Sequence, residues 1–454
     1  LFNYPNITSM KSIEGFSKLS KQAKLEWIAN NFFENPDEVV REFQSYWQDD
    51  PKTQKLFDEF SENTLTNFII PYNVAPNFLL NGKMYAVPMV IEESSVVAAA
   101  SQSAKFWKDR GGFHSEVIST VKIGQVHFNW HGDFQKLKKF IKHIKPIMIR
   151  NAHPITRNME KRGGGILDIE LVNMTAFDTD YYQLKASFET CESMGANFIN
   201  SVLENFAATL KGEALGYEEF EGDEHDINII MCILSNYTPD CLVRTWVECD
   251  INKLGTVEGM PAEEFANKFA RAIKISKVDV YRATTHNKGI MNGIDSVILA
   301  TGNDFRATEA CGHVYAARNG RYQSLSDVKL DNGKFHYSIE VPMAVGVVGG
   351  LTSLHPMVKR SFEMLGNPNS RELMMIASAA GLANNFAAVK SMTTVGIQKG
   401  HMKMHLLNIL NQFNASETET AQAKEYFKTN VVSYTAVRNF LISIRPTVTE
   451  NKHK

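Results

Sequence analysis

The chain has 454 residues, with 48 Lys+Arg against 50 Asp+Glu, and is 44% hydrophobic and 22% charged. A net charge of −2 excludes a protein that holds nucleic acid or an anionic membrane by bulk charge, and the composition excludes disorder as the main state. The length predicts about three domains; no run reaches the roughly 18 apolar residues of a membrane span, and Leu1 to Lys11 does not resemble a signal peptide. Leu19 to Phe33 repeats apolar residues at a helical period, and Asn35-Pro36-Asp37 ends that helix and starts the next. Asn77 to Met89 is strand-like. Asn81-Gly82 within it predicts a hairpin, because a tight primed turn needs positive φ at both positions. Ser94 to Phe106 reads as a buried helix.

The next section has its own order. Val117 to Phe128 is strand-like, Gly132 to Lys145 a helix basic on one face, and Ile166 to Met174 and Tyr181 to Phe188 two strands joined near Asp178. Ser193 to Lys211 is a second helix and Ile227 to Leu234 a final strand. This β-α-β-β-α-β order is the split-βαβ, ferredoxin-like pattern, and it predicts an inserted domain over residues 117–234. Seven acids between Lys211 and Asp226 predict a solvated connection. Pro261 to Ala272 reads as a helix and Asp295 to Thr301 as a strand. Asp331-Asn332-Gly333 is a second hairpin turn, and the residues from Gly396 onward are helical and amphipathic, with a helix start at Ser416.

Several clusters can carry chemistry. Glu92-Glu93 stands at the mouth of an apolar run; the pair is either a helix start, where acids complement the dipole, or a general acid whose pKa an apolar wall raises. Arg282 to Gly293 concentrates Arg, His, Asn, Lys and two Gly, which suits a loop presenting donors to an anionic or carbonyl ligand. Asp304 ends the following strand, and a Lys288–Asp304 pair would either polarise a carbonyl or be a plain ion pair. Met194-Gly195-Ala196-Asn197 opens a helix after a strand, where free N–H groups can meet a phosphate; it is not a G-x-G-x-x-G fingerprint. Gly163-Gly164-Gly165 and Gly346 to Gly350 are turns or close packing as readily as ligand cradles. His401 and His405 have zinc spacing without the Glu of H-E-x-x-H, and a proton-donating His near a mobile end fits better than metal. The five cysteines, Cys191, Cys232, Cys241, Cys249 and Cys311, lack C-x-x-C spacing, which argues for reduced thiols in a cytosol.

Gly15 to Ser20, Val87 to Ala100, Met194 to Asn197, Arg282 to Asp295, Leu299 to Ala307, Val345 to Gly350 and Gly400-His401-Met402 together resemble 3-hydroxy-3-methylglutaryl-coenzyme A (HMG-CoA) reductase of the bacterial class II form. The resemblance implies an α+β fold. A large mixed α/β domain (residues 1–116 and 235–394) would bind substrate and dimerise, an inserted ferredoxin-like domain (117–234) would bind the dinucleotide, and residues 395–454 would form a C-terminal helical flap. It implies reduction of HMG-CoA to mevalonate and coenzyme A by two hydrides from NADH or NADPH, two cofactors per turnover and no metal. The same chemistry run oxidatively from mevalonate stays open, as does a retired coenzyme A- or nucleotide-binding regulator. Family roles fall on Glu93, Lys288, Asp304 and His401 as catalytic residues. Ser95, Arg282, Asn292, Asn236 and Asn385 become substrate contacts, and Glu192, Met194, Gly195 and Asn197 cofactor contacts. A cytoplasmic homodimer or multiple of dimers, with no nucleic acid or membrane partner, is implied. The chain departs from the family pattern at Glu192-Ser193, where Asp-Ala is usual, at Val347 for Thr, at Asn384 for Gln, and at Glu62-Asn63-Thr64-Leu65-Thr66 for Glu-Asn-Val-Ile-Gly.

Overall fold

A computed structural model describes residues 12–396 and 406–445. The chain forms two compact units, Leu1–Pro71 and Tyr72–Lys454. The first contains α1 (Lys21–Phe32), α2 (Pro36–Ser45) and α3 (Pro51–Asp58). Ser20 and Asp50 cap α1 and α3 by accepting from first-turn N–H groups, as short polar side chains do at helix starts. Asn35 precedes α2 without a side-chain cap, and Pro36 supplies the helical φ instead. Lys21 pairs with Asp58 at 2.6 Å, tying α1 to α3. The divergent Glu62–Thr66 segment is fastened to α2 and the turn after it, with the Thr66 hydroxyl donating to Phe43 O at 2.6 Å and Trp47 Nε1 to Leu65 O at 2.9 Å.

The second unit opens with the hairpin β1 (Tyr72–Leu80) and β2 (Lys83–Val90). Asn81 and Gly82 hold φ of 48° and 80° at its turn, as the dipeptide predicts. Then come α4 (Ser94–Lys108), β3 (His114–Val117), β4 (Lys122–Asn129), α5 (Phe134–Glu160), β5 (Gly165–Asn173), β6 (Tyr181–Glu189), α6 (Ala196–Ala214), β7 (Asn228–Leu234) and β8 (Leu242–Asp250). The strand expected over Val117–Phe128 is thus two strands of different sheets. Beyond β8 lie α7 (Ala262–Val278), α8 (Val280–Ala300), α9 (Phe305–Ala316), β9 (Ser326–Asp331), β10 (Lys334–Pro342), the short α10 (Leu351–Leu354), α11 (Pro356–Met364) and α12 (Ser370–Thr393). Two four-stranded sheets run in the orders β3-β8-β10-β9 and β5-β6-β4-β7, and every pair in them is antiparallel.

Each sheet has its own core. Trp107, Phe269, Phe335, Tyr337 and Phe386 centre the larger one, where Trp107 meets Phe386 edge-on at 5.1 Å; burial of such side chains is worth about 1.5–3 kcal/mol each. Phe128, Trp130, Phe140, Phe188 and Phe206 centre the second, between α5, α6 and the β5-β6-β4-β7 sheet. Leu406, Leu410, Phe427, Val437 and Leu441 form a third, small cluster with helices Glu417–Tyr426 and Tyr434–Ile444.

Several expectations are corrected. Helix α5 does not end at Lys145 but runs on through Pro146 and Pro154. Its buried stripe continues through Ile144, Met148, Ala152 and Met159, and that packing outweighs the hydrogen bond each proline removes. The acidic stretch before β7 is mostly solvated, as expected, but it is not loose: Glu224 and Glu219 pair with Lys136 and Lys139 on α5, and Phe220 is buried. Arg282–Gly293 is not a loop, nor Asp295–Thr301 a strand; both lie in helix α8. Helix α12 was not foreseen. It is long and apolar enough to cross a membrane, but 83% of its most apolar stretch is buried inside the protein, which makes it a core helix.

α8 and α12 approach each other through glycines. A Cβ on Gly293 would lie 2.3 Å from Ala380 O, and one on Gly381 would lie 2.7 Å from Ile294 Cγ1. Gly289, one turn away, has only Asn385 Nδ2 at 3.5 Å. Gly293→Ala is therefore expected to cost about 1–3 kcal/mol through overpacking, and Gly289→Ala, whose Cβ has room, to be neutral or to stabilise by up to about 1 kcal/mol. Urea unfolding of the two variants checks this; equal losses would contradict the crossing.

Candidate active site

Three stretches of backbone converge on one open cleft of about 400 Å³: residues 193–198, 302–304 and 346–352. Hydrogen bonds lock them together. Val347 N–H donates to Glu192 O at 2.8 Å, and Gly346 N–H to Asn303 Oδ1 at 2.8 Å. The approach demands glycine twice. A Cβ on Gly346 would sit 2.5 Å from Met194 N, and one on Gly195 would sit 2.5 Å from Thr190 Cγ2. Gly195, at φ 94°, precedes the 19-residue α6 and offers no side-chain cap, so the first N–H groups of α6 are open to an anion at the cleft. Met194, Gly195, Asn197 and Asp304 all line it. Asp304 caps α9, accepting from Arg306 N at 3.0 Å and Ala307 N at 3.2 Å.

A second group forms where α4 begins. Glu93 is its N-cap residue, and the Ser95 hydroxyl donates to Glu93 Oε1. Lys288 on α8 places Nζ 3.5 Å from Glu93 Oε2, with both side chains open to solvent. Among the described residues no ion pair joins Lys288 to Asp304, whose charged neighbour is Arg306 at 3.4 Å; the Lys288–Asp304 pair considered from sequence is not formed here.

The polar residues that suggested a loop are accounted for on α8. His286 Nε2 meets Ser326 Oγ at 2.7 Å, while Asn287 donates to Gln323 O at 3.0 Å and accepts from Leu325 N at 2.9 Å. Burial pushes the His286 imidazole down to about 3, so it is neutral across the physiological range. Lys288 and Asn292 lie one turn apart on the same face, and half-buried Arg282 about 120° round from Lys288. Burial lowers the Arg282 pKa, and its guanidinium forms no ion pair among the described residues.

Other expected contacts turn elsewhere. Asn385 is 1% exposed, and its amide donates to His286 O at 2.8 Å and accepts from the Tyr337 hydroxyl; it braces α8 rather than facing a cleft. Glu192 is absent from the cleft wall, because its carboxylate accepts from Ser370 N–H at 2.7 Å in the first turn of α12. Asn236 lines a small closed pocket with Lys122, Met194 and Thr308. His401 lies outside the described residues. Sequence reasoning missed Asn303, which sits in the Thr-Gly-Asn-Asp run where only the Asp drew notice. No group of three or more His, Cys, Asp or Glu is placed to hold a metal among the described residues.

The hydroxymethylglutaryl-coenzyme A reductase family model matches residues 21–406. The chain belongs to this family. Among its relatives, the HMG-CoA reductase of Archaeoglobus fulgidus is 36% identical over 91% of this chain and 90% of its own length. A probable HMG-CoA reductase of Borreliella burgdorferi is 30% identical over 98% of this chain and all of its own. The HMG-CoA reductase of Streptococcus pneumoniae superposes with a TM-score of 0.70 at 34% identity, covering 96% of this chain and 100% of that one. A class II enzyme of the same organism, solved with NADPH in open conformations, gives 0.69 at 36% identity over 85% of this chain and 100% of that one.

Within this HMG-CoA reductase family member, the carboxylate of Glu192 acts on a helix terminus. Anions there contribute about 0.3–1 kcal/mol. Glu192→Ala is expected to lower stability by about 1 kcal/mol, read as a shift of the denaturation midpoint. A midpoint that does not move would contradict the cap.

Proposed function

We propose that this chain reduces HMG-CoA to mevalonate and coenzyme A with two reduced nicotinamide cofactors. Two hydrides and two protons convert the thioester to a primary alcohol and a free thiol. The observation that carries the reading is Lys288 set against Glu93 and Ser95 within a family member whose α6 terminus opens on a cleft. A carbonyl oxygen that becomes an oxyanion needs fixed positive charge, and Lys288 supplies it. Glu93 delivers the proton to the aldehyde oxygen in the second step, with Ser95 orienting its carboxyl. Arg282, whose guanidinium forms no ion pair among the described residues, grips the substrate carboxylate as a fork, and Asn292 contacts the substrate from the face of α8 that carries Lys288. Asn385 is a positioning residue, acting through the backbone of α8. Asp304 completes the proton network beside the cleft, and His401 protonates the departing thiolate.

The cleft suits the dinucleotide: Gly195 and Gly346 let the backbone that walls it pack closely against Thr190 and Met194, and the open N–H groups of α6 suit a pyrophosphate. Met194, Gly195 and Asn197 would hold it. When bound, NADH or NADPH supplies the hydride. The strand order β5-β6-β4-β7 with α5 and α6 supports residues 117–234 as the ferredoxin-like dinucleotide domain; residues 1–116 and 235–394 are then the substrate domain, and residues 395–454 the flap. A homodimer or a multiple of dimers is the expected assembly.

The test is loss of reduced-nicotinamide absorbance with purified protein, HMG-CoA, and NADH or NADPH in parallel. Two cofactors are consumed per thioester, and Lys288→Ala loses at least about 10²-fold in kcat. No consumption with either cofactor, by folded protein that binds HMG-CoA, overturns the reading.

A further inference from the structure

The face of the β3-β8-β10-β9 sheet turned away from the core carries a charged pocket. Along β10, Phe335, Tyr337, Ile339 and Val341 point into the core, while His336, Ser338 and Glu340 point the other way. Arg244 lies opposite Glu340, and Asp327 and Lys329 opposite Ser338 and His336. Lys277 from the end of α7 and Arg318 from just after α9 close the rim. The result is a pocket of about 440 Å³, within the roughly 300–1,000 Å³ usual for small-molecule sites.

Four cations and two carboxylates line it, and the cations are not all spent. Arg244 is held between Glu340 and Glu116. Lys277, Arg318 and Lys329 form no ion pair among the described residues. Lys277 is half-buried and uses one proton on Ser324 O at 3.1 Å, leaving two donors. Arg318 is oriented by Nη1 donating to Tyr315 O at 2.8 Å and by the Tyr315 ring 3.8 Å beneath it, so its fork is pre-organised. His336 Nδ1 is buried with no hydrogen-bond partner, although such atoms are nearly always paired. A half-buried cation is costly unless it is paired, and burial lowers the pKa of Lys277, with Arg318 adding to the effect and Asp327 and Glu340 opposing it. An anion in the pocket offsets that cost, and a concave site with surplus positive charge concentrates anions.

We propose that this pocket binds a small anion of the diphosphate class, with Arg318 bridging its oxygens in fork geometry and Lys277 acting as the second charge. Lys329 and His336 complete the ring, and Asp327 sets an upper limit on affinity.

The probe is inorganic pyrophosphate, titrated calorimetrically into the full chain, with orthophosphate in parallel. Pyrophosphate binds at one site more tightly than orthophosphate. Lys277→Met, which keeps the buried stem, and Arg318→Gln each weaken it about tenfold, while Asp327→Asn tightens it. Melting temperatures establish that the variants are folded, and Arg318→Gln, at an exposed position, decides the matter where Lys277→Met does not fold. Reduced-nicotinamide consumption with HMG-CoA is unchanged in Arg318→Gln, so loss of this site is distinguishable from failure of the proposed activity. No pyrophosphate binding by the unaltered chain overturns the proposal. So does equal binding in both variants, which would put the anion elsewhere, as at the start of α6.

Discussion

Helices α8 and α12 can lie this close only because Gly293 and Gly381 present bare backbone to each other, and the rest of the site follows from that crossing. Helix separation is set by the side chains at the contact, and a dense core leaves no slack to absorb a misplaced methyl group. With the axis of α8 fixed, Lys288, Asn292 and Arg282 have fixed stations along it. Asn385 then locks the arrangement from α12 by gripping His286 O and the Tyr337 hydroxyl, inside a region too dry to leave either group unpaired. The end of β2 and the start of α4 bring Glu93 to meet Lys288 from the other side.

The cleft is made differently. Its walls are backbone, held in register by Asn303 and by the close contact of Gly346 with the Met194 turn. A wall of N–H groups and a helix terminus recognises charge by position rather than by side-chain identity. That is why Glu192 can be diverted to the start of α12 while the surrounding Met-Gly-Ala-Asn turn keeps its shape.

Both hairpins were legible because Asn-Gly in a tight turn has one physical meaning, and Asn332 and Gly333 hold φ of 51° and 74° as that meaning requires. The β-α-β-β-α-β run was legible because its strands are rich in β-branched and aromatic residues and its helices carry apolar stripes. Helix α8 was misread because His286 and Asn287 are polar yet buried, and their partners Gln323, Leu325 and Ser326, at the start of β9 and just before it, are more than thirty residues away. Local pattern has no access to such partners. Helix α12 is built mostly of small and apolar side chains and buries them all round, so it lacks the periodic contrast that marks a surface helix. The candidate site residues came from resemblance to a family rather than from their spacing, which gives no direction for a side chain: the Glu192 carboxylate accepts from the first turn of α12 and the Asn385 amide donates to α8.

The central claim is that Glu93 and Lys288 act as one unit on one carbonyl. A double-mutant cycle on kcat, with Glu93→Gln, Lys288→Met and the combination, tests it most directly. Residues that act as a unit are strongly non-additive, so the double variant should be little slower than the slower single one. Losses that multiply in full would contradict the account and make the 3.5 Å contact a surface ion pair with no part in the reaction.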